Sequence, residues 1–133
     1  MPYYITYEQL VVRAKDYSLA RLSDLNGKAI GALKGSLAER ILQEKNLYQV
    51  KSYEGEVVAF EDLKNGRLDA VLVDAPIALY YASWNKDLRL IGEPIGEVLY
   101  GVVSRISDSV LSNKINIAIQ EMINNGELHT ILA

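Results

Sequence analysis

Cysteine is absent from the 133 residues, which excludes disulfides and thiolate metal sites and leaves the redox compartment open. Histidine occurs once, as His129 in the tail. With no cysteine and no Gly-x-Ser-x-Gly elbow, nucleophilic catalysis has no visible machinery, and His129 is expected at the surface near a helix end. No ligands stand at metal-binding spacing, and no cofactor is implied. Basic residues do not outnumber acidic ones (14 against 17, net charge −3), so there is no footprint for nucleic acid. No run reaches the roughly 18 apolar residues that a membrane span needs. Met1-Pro2-Tyr3-Tyr4 lacks the basic and apolar regions of a signal peptide.

What remains is an ordinary globular composition, half apolar and 23% charged, with a length that suits one domain. Leu10 to Arg13 reads as a strand, Ser23 to Gly27 as a turn, and Lys28 to Leu33 as a buried strand. Leu37, Ile41, Leu42 and Leu47 then recur at helical spacing, behind a Ser36-x-x-Glu39 capping box. Tyr48 to Tyr53 alternates as a strand, and Glu56 to Leu63 reads as a helix stopped by Asn65-Gly66. Leu68 to Val73 is a third apolar strand, Pro76 to Trp84 a helix with proline in its first turn, and Leu88 to Ile91 a short strand. Strands alternating with helices predict βαβ units and a parallel sheet. The pattern then changes: Glu93 to Gly96 is a connector, Leu99 to Val103 a strand, and two helices follow, split at Asn125-Gly126. Leu111, Ile115, Ala118, Ile119, Met122 and Ile123 form an apolar stripe with no evident partner element.

Two strand-to-helix turns hold the candidate chemistry. In open α/β sheets, ligands bind at the carboxyl ends of the strands. In Lys34-Gly35-Ser36-Leu37-Ala38-Glu39, a serine cap on the third helical N–H leaves the amides of Leu37 and Ala38 for an anion, and Gly35 allows close approach. The turn reads equally as an ordinary capped helix, and its spacing is not that of a P-loop. In Val73-Asp74-Ala75-Pro76, a carboxylate at a strand end suits an ammonium group, or simply caps the next helix. Both readings of each turn stand on local sequence. The acidic pairs Glu61/Asp62 and Glu54/Glu56 are expected on solvated faces. Tyr3, Tyr4, Tyr7, Tyr80 and Tyr81 are expected to pack at element ends rather than to line a cleft.

The order of signals is nonetheless specific. Pro2-Tyr3-Tyr4, Leu10-Val11-Val12, Leu25-Asn26-Gly27-Lys28-Ala29-Ile30-Gly31, Lys34-Gly35-Ser36, Asn65-Gly66-Arg67-Leu68-Asp69-Ala70-Val71, Val73-Asp74 and Tyr100-Gly101-Val102-Val103 follow one another along nearly the whole chain. This resembles family 3 of the extracellular solute-binding proteins, the polar amino-acid receptors of ABC importers, built on the type II periplasmic binding protein fold. The resemblance implies a fragment of such a two-lobed, non-enzymatic receptor. Residues 1–6 would be the hinge entry, 7–93 lobe 2 as a parallel-sheet βαβ unit, and 94–99 the return hinge. Residues 100–133 would be the strand and two helices that complete a lobe 1 otherwise missing. It further implies a small zwitterionic amino acid as ligand, bound by the Leu37 amide with Gly35 and Ser36 in support. Asp74 would take the ammonium, and Leu33 and Ala38 would touch the ligand side chain. Leu37 stands where threonine or glycine is common, which keeps the backbone role but not side-chain hydrogen bonding. The parent would be periplasmic or extracellular, a lipoprotein included, and would serve an importer permease. The unpartnered stripe predicts homodimerisation or a domain swap through the C-terminal segment. The same lobes occur in sensor inputs of membrane signalling proteins, in cyclohexadienyl dehydratase-like domains and in lytic transglycosylase-associated domains, which are the alternative readings.

Overall fold

A computed structural model of the protein describes residues 2–132. Met1 and Ala133, the outer ends of the hinge-entry and C-terminal segments expected from sequence, lie outside the described residues. The described residues divide into two compact units, Thr6–Val98 and residues 2–5 with 99–132.

The elements run β1 (Pro2–Arg13), a 3-10 turn (Leu22–Leu25), β2 (Ala29–Leu33), α1 (Leu37–Lys45), β3 (Gln49–Tyr53), α2 (Glu56–Lys64), β4 (Ala70–Asp74), α3 (Ala75–Trp84), β5 (Leu88–Gly101), α4 (Ser109–Asn124) and α5 (Glu127–Leu132). The sheet order is β3-β2-β4-β1-β5. β2 pairs in parallel with β3 and with β4, as the alternating pattern predicts. β1 departs from that expectation and pairs antiparallel to β4, Glu8 lying opposite Asp74 and Val11 opposite Val71. It is not the product of a helical crossover from β4, so it is free to enter the sheet in the other direction and satisfy the open edge of β4.

In Thr6–Val98, alternate residues go to opposite faces of the sheet. Leu10, Val12, Ile30, Ala32, Ala70 and Leu72 meet Ala38 and Leu42 of α1, together with Leu19, Leu25 and Ile91. Val11, Val71 and Val73 meet Ala59, Phe60 and Leu63 of α2, Ala78 of α3 and Leu88. Both faces are covered, which explains why the strands read as nearly continuous apolar runs. Gly31 permits the close layer contact: a Cβ there would stand 2.7 Å from Leu68 Cδ1 and 3.0 Å from Tyr53 Cε2.

Three sequence expectations are corrected. Leu47 falls outside the first helix and is exposed, because Asn46 ends that helix in the left-handed region at φ 53°. Leu88–Ile91 and the strand expected from Leu99 are one strand, β5, which ends at Gly101 rather than Val103. The connector between them stays extended because β5 is the sheet's outer strand. There the missing N–H of Pro94 is tolerated, and Gly92 and Gly96, at φ 75° and 66°, absorb the irregularity. Asp62 is half-buried rather than solvated: it accepts a 2.6 Å hydrogen bond from the Tyr53 hydroxyl and binds Arg67. Burial, and then that bond, push the Tyr53 phenol up to about 12.

The smaller unit contains α4 and α5. Asp108 caps α4 by accepting from the Leu111 N–H at 3.2 Å, and the chain turns at Gly126 (φ 83°) into α5. The tail therefore splits where Asn125-Gly126 predicts. Of its apolar stripe, Ile119 is buried, Ile115 and Met122 are half-buried, and Leu111, Ala118 and Ile123 are exposed. His129 is exposed in α5, and Tyr4 packs edge-on to Tyr100 at 5.4 Å between ring centroids.

Candidate functional site: the carboxyl ends of β2 and β4

β2 and β4 are parallel neighbours with Ile30 opposite Ala70. Their carboxyl ends, and the two helix starts that follow, therefore open to the same sheet edge. In open α/β sheets this is the edge at which ligands bind.

After the half-buried Leu33, the Lys34 N–H donates to Tyr53 O at 2.8 Å and the Ser36 N–H to Leu33 O at 3.1 Å. Gly35 turns the chain at φ 76°, with nothing within 4 Å of where a Cβ would sit. Ser36 is extended (φ −80°, ψ 162°), and its Oγ accepts from the Glu39 N–H at 3.2 Å, as the capping box predicts. Glu39 reaches back to accept the Gly35 N–H at 3.1 Å and also accepts the Ser52 hydroxyl. These bonds, Ser52 first and Gly35 second, hold the Glu39 carboxyl below the usual carboxylate range. Gly35 thus contributes room rather than a free donor. The N–H groups of Leu37 and Ala38 have no acceptor among the described residues, and they stand at the positive end of the helix dipole. Ala38 is buried in the core, and Leu37 is half-buried against Gly96, whose Cβ would come 3.6 Å from Leu37 Cδ2. A depression of about 330 Å³ borders this helix start, lined by Gly35, Ser36, Leu37, Glu39, Arg40 and Gln43.

Asp74 ends β4 and occupies the N-cap position of α3, but its side chain makes no capping hydrogen bond. Pro76 in the first turn has removed one of the donors a cap would serve. The Asp74 carboxylate instead accepts from the carboxyl of Glu8, directly across the β1–β4 pair. Glu8 is only 1% exposed, and its Oε2 has no partner among the described residues. Burial, then the negative charge of Asp74 and the hydrogen bond to it, push the Glu8 carboxyl up to about 8. Sequence reasoning missed Glu8. Its signal is an acid in phase with Leu10 and Val12, which face the core.

A separate depression of about 390 Å³ lies at the far end of β1, beside Arg13, Lys15, Tyr17, Lys64 and Asp87, and includes none of the predicted residues. The tyrosines pack as expected in part: Tyr81 stacks on Phe60 at 4.4 Å and meets Tyr80 edge-on, while Tyr7 and Tyr80 are largely exposed. Among the described residues no group of three metal ligands occurs, and no helix is long and apolar enough to cross a membrane.

No family model matches the chain. Individual proteins do. The arginine-binding periplasmic protein of Mannheimia haemolytica is 30% identical over 98% of this chain and 55% of its own length. The arginine-binding extracellular protein of Bacillus subtilis is 30% identical over 96% of this chain and 52% of its own length. Among solved structures, an ancestral arginine-binding protein bound to glutamine superposes with a TM-score of 0.87 at 33% identity, covering 99% of this chain and 60% of that one. The chain spans about half the length of the curated relatives it matches. Its homologues are the amino-acid-binding periplasmic and extracellular proteins of ABC transporters, of the solute-binding family 3 type that the order of its motifs resembles.

Proposed function

We propose that this chain forms one jaw of an amino-acid receptor serving an ABC importer, with Thr6–Val98 as the ligand-binding lobe and the segment from Leu99 as part of an incomplete second lobe. One observation supports the reading above the others. The parallel β2–β4 pair brings two amides without acceptors and the Asp74 carboxylate to one edge, matching the two charges of a zwitterion. In this reading the Leu37 and Ala38 N–H groups receive the α-carboxylate, Asp74 receives the α-ammonium, and Leu33 bounds the ligand side chain, whereas the Ala38 side chain, expected there from sequence, is committed to the core. The parent protein is a binder rather than an enzyme, works outside the cytoplasmic membrane and delivers its ligand to a permease. Closure of two lobes on the ligand completes the site.

A single jaw supplies only part of the contacts, and each 1.4 kcal/mol withheld weakens binding about tenfold. Millimolar binding of L-arginine to this chain, followed by amide chemical shifts at Leu37, Ala38 and Asp74, is the expected result. Submicromolar affinity would contradict the one-jaw reading. The amide role has a cleaner test in Leu37→Pro. Position 37 is the first of the helix, where proline fits, and Ser36 already has the extended backbone that proline demands of its predecessor. Against Leu37→Ala, which keeps the N–H, the proline variant should bind about 10-fold more weakly or worse, the worth of one charge-assisted hydrogen bond. Equal affinities would remove the carboxylate from this helix start.

The reading extends to association. Val110, Leu111, Ile117, Ile123 and Ile131 are exposed on α4 and α5. A second copy covering that surface would gain about 1.5–3 kcal/mol for each large side chain buried. Sedimentation should show reversible dimers at micromolar concentration, lost in the Ile117→Glu/Ile123→Glu double variant. A wild-type monomer at such concentrations would sink this extension.

A further inference from the structure

The ammonium contact assigned to Asp74 leaves Glu8 unexplained. Glu8 stands opposite Asp74 in the antiparallel register, is almost wholly buried, donates a hydrogen bond to the Asp74 carboxylate, and keeps Oε2 without a partner among the described residues. Strand alternation puts Glu8 on the face of Leu10 and Val12, and Asp74 on the face of Ala70 and Leu72, which is the one face that α1 covers. A carboxyl enclosed there, beside a second carboxylate, is held in its protonated form by desolvation and like charge together. Its proton is the positive charge that lets two acidic oxygens share one position.

The charged side chains of the neighbouring elements are engaged elsewhere or exposed. In the turn after β2 and on α1, Lys34 pairs with Glu54, Glu39 binds Gly35 and Ser52, and Arg40 is exposed. On β5, Arg89 donates to the carbonyls of Asp16 and Leu19, while Glu93 and Glu97 are exposed.

We propose that Glu8 is a positioning residue that makes the ammonium position proton-linked, its proton occupying an acceptor site of Asp74 until a ligand ammonium takes that site and the proton leaves to water. This rests on the reading of Asp74 as the ammonium acceptor. The ligand arrives and stays as R–NH3+, Glu8 gives up one proton, and no covalent bond forms or breaks. The pair goes from one negative charge to two, and the bound cation offsets the added one. Binding and deprotonation of Glu8 therefore favour each other, reciprocally.

The test measures L-arginine binding to the wild-type chain, Glu8→Gln and Asp74→Asn by chemical-shift titration. Glutamine keeps the hydrogen bond to Asp74 but has no proton to release. Between about pH 6 and about pH 8.5, wild-type affinity should rise roughly three- to tenfold while that of Glu8→Gln stays flat, the linkage limit being about tenfold per pH unit. Loss of the ligand's own ammonium proton affects all three proteins alike and cancels in the comparison. Parallel pH profiles for wild type and Glu8→Gln, with binding lost in Asp74→Asn, would overturn the proton linkage and leave the ammonium reading intact. Undiminished binding by Asp74→Asn would overturn both.

Discussion

Replacing Glu8 by glutamine should remove most of the fall in stability that the wild-type chain shows between about pH 5 and about pH 8, raising the folding free energy near the upper end by about 2–3 kcal/mol. The direction follows from proton counts. The Glu8 carboxyl moves from an ordinary value of 4.5 to about 8 in the folded chain, because burial and the neighbouring Asp74 charge oppose its ionisation. Below about pH 4.5 both states hold the proton and Glu8 contributes no slope. Above it the unfolded chain ionises while the folded chain keeps its proton, so the folded state binds more protons and stability falls with rising pH. The fall ends as the pH passes the folded value near 8. Glutamine cannot ionise, so the variant should match wild type near pH 5 and exceed it increasingly above. Chemical denaturation at several pH values measures this directly. Coincident curves for the two proteins across the window would mean that Glu8 ionises freely in the fold. The sign is unusual for a carboxylate, since acids that gain stabilising partners on folding contribute stability at high pH, not low. It marks Glu8 as a group kept at a cost, which is the expected signature of a residue retained for binding.

The parts of this fold that were legible in sequence share one property: they depend on neighbours close along the chain. The Ser36–Glu39 box, the left-handed Gly35, the α4 to α5 break at Gly126 and the apolar runs of β2 and β4 all follow from local backbone chemistry and alternation. The two turns were visible for that reason, and so was the edge they would share once the βαβ pattern implied parallel strands. What escaped depends on strands meeting across the sheet. The antiparallel entry of β1 cannot be read from its own residues, and without it Glu8 has no reason to be placed beside Asp74, 66 positions away. Asp74 shows the same limit from the other side. Its position and the following proline predicted either a cap or a ligand group, and neither shows the Glu8 carboxyl that the β1 neighbour brings to it. The extended course through Pro94 was equally hidden, because a proline ends a central strand but not an outer one, and sheet order is not a local property.

Substituting Arg13 by alanine should destabilise the chain by about 3–5 kcal/mol, the range found when one member of a buried charged network is removed. Arg13 ends β1 with a side chain only 12% exposed. Nη1 donates to Leu63 O at 2.7 Å and to Leu68 O, while Nη2 pairs with Asp16 at 2.9 Å and with Asp69 at 3.6 Å. Asp69 in turn accepts the Ala29 N–H at 3.0 Å at the start of β2. One guanidinium therefore joins the C-terminal turn of α2, the approach to β4 and the first residue of β2. Truncation takes the guanidinium from Leu68 O and from Leu63 O, which keeps the Gly66 N–H, and leaves Asp16 and Asp69 without their shared cation, Asp69 retaining the Ala29 N–H. Lysine restores the charge but not the fork that serves carbonyls and carboxylates at once, so Arg13→Lys should fall between wild type and alanine. Arg13→Met, which restores volume but not charge, separates packing from electrostatics and should lie nearer alanine than lysine. Denaturant midpoints for the three variants measure the series, and an alanine variant within about 1 kcal/mol of wild type would show that solvent replaces the network. Because β1 runs antiparallel to β4, Arg13 and Glu8 sit toward opposite ends of that pairing. Arg13→Lys, while folded, should therefore leave L-arginine binding at Asp74 unchanged, whereas Glu8→Gln, at the Asp74 end, should change both stability and the pH dependence of binding.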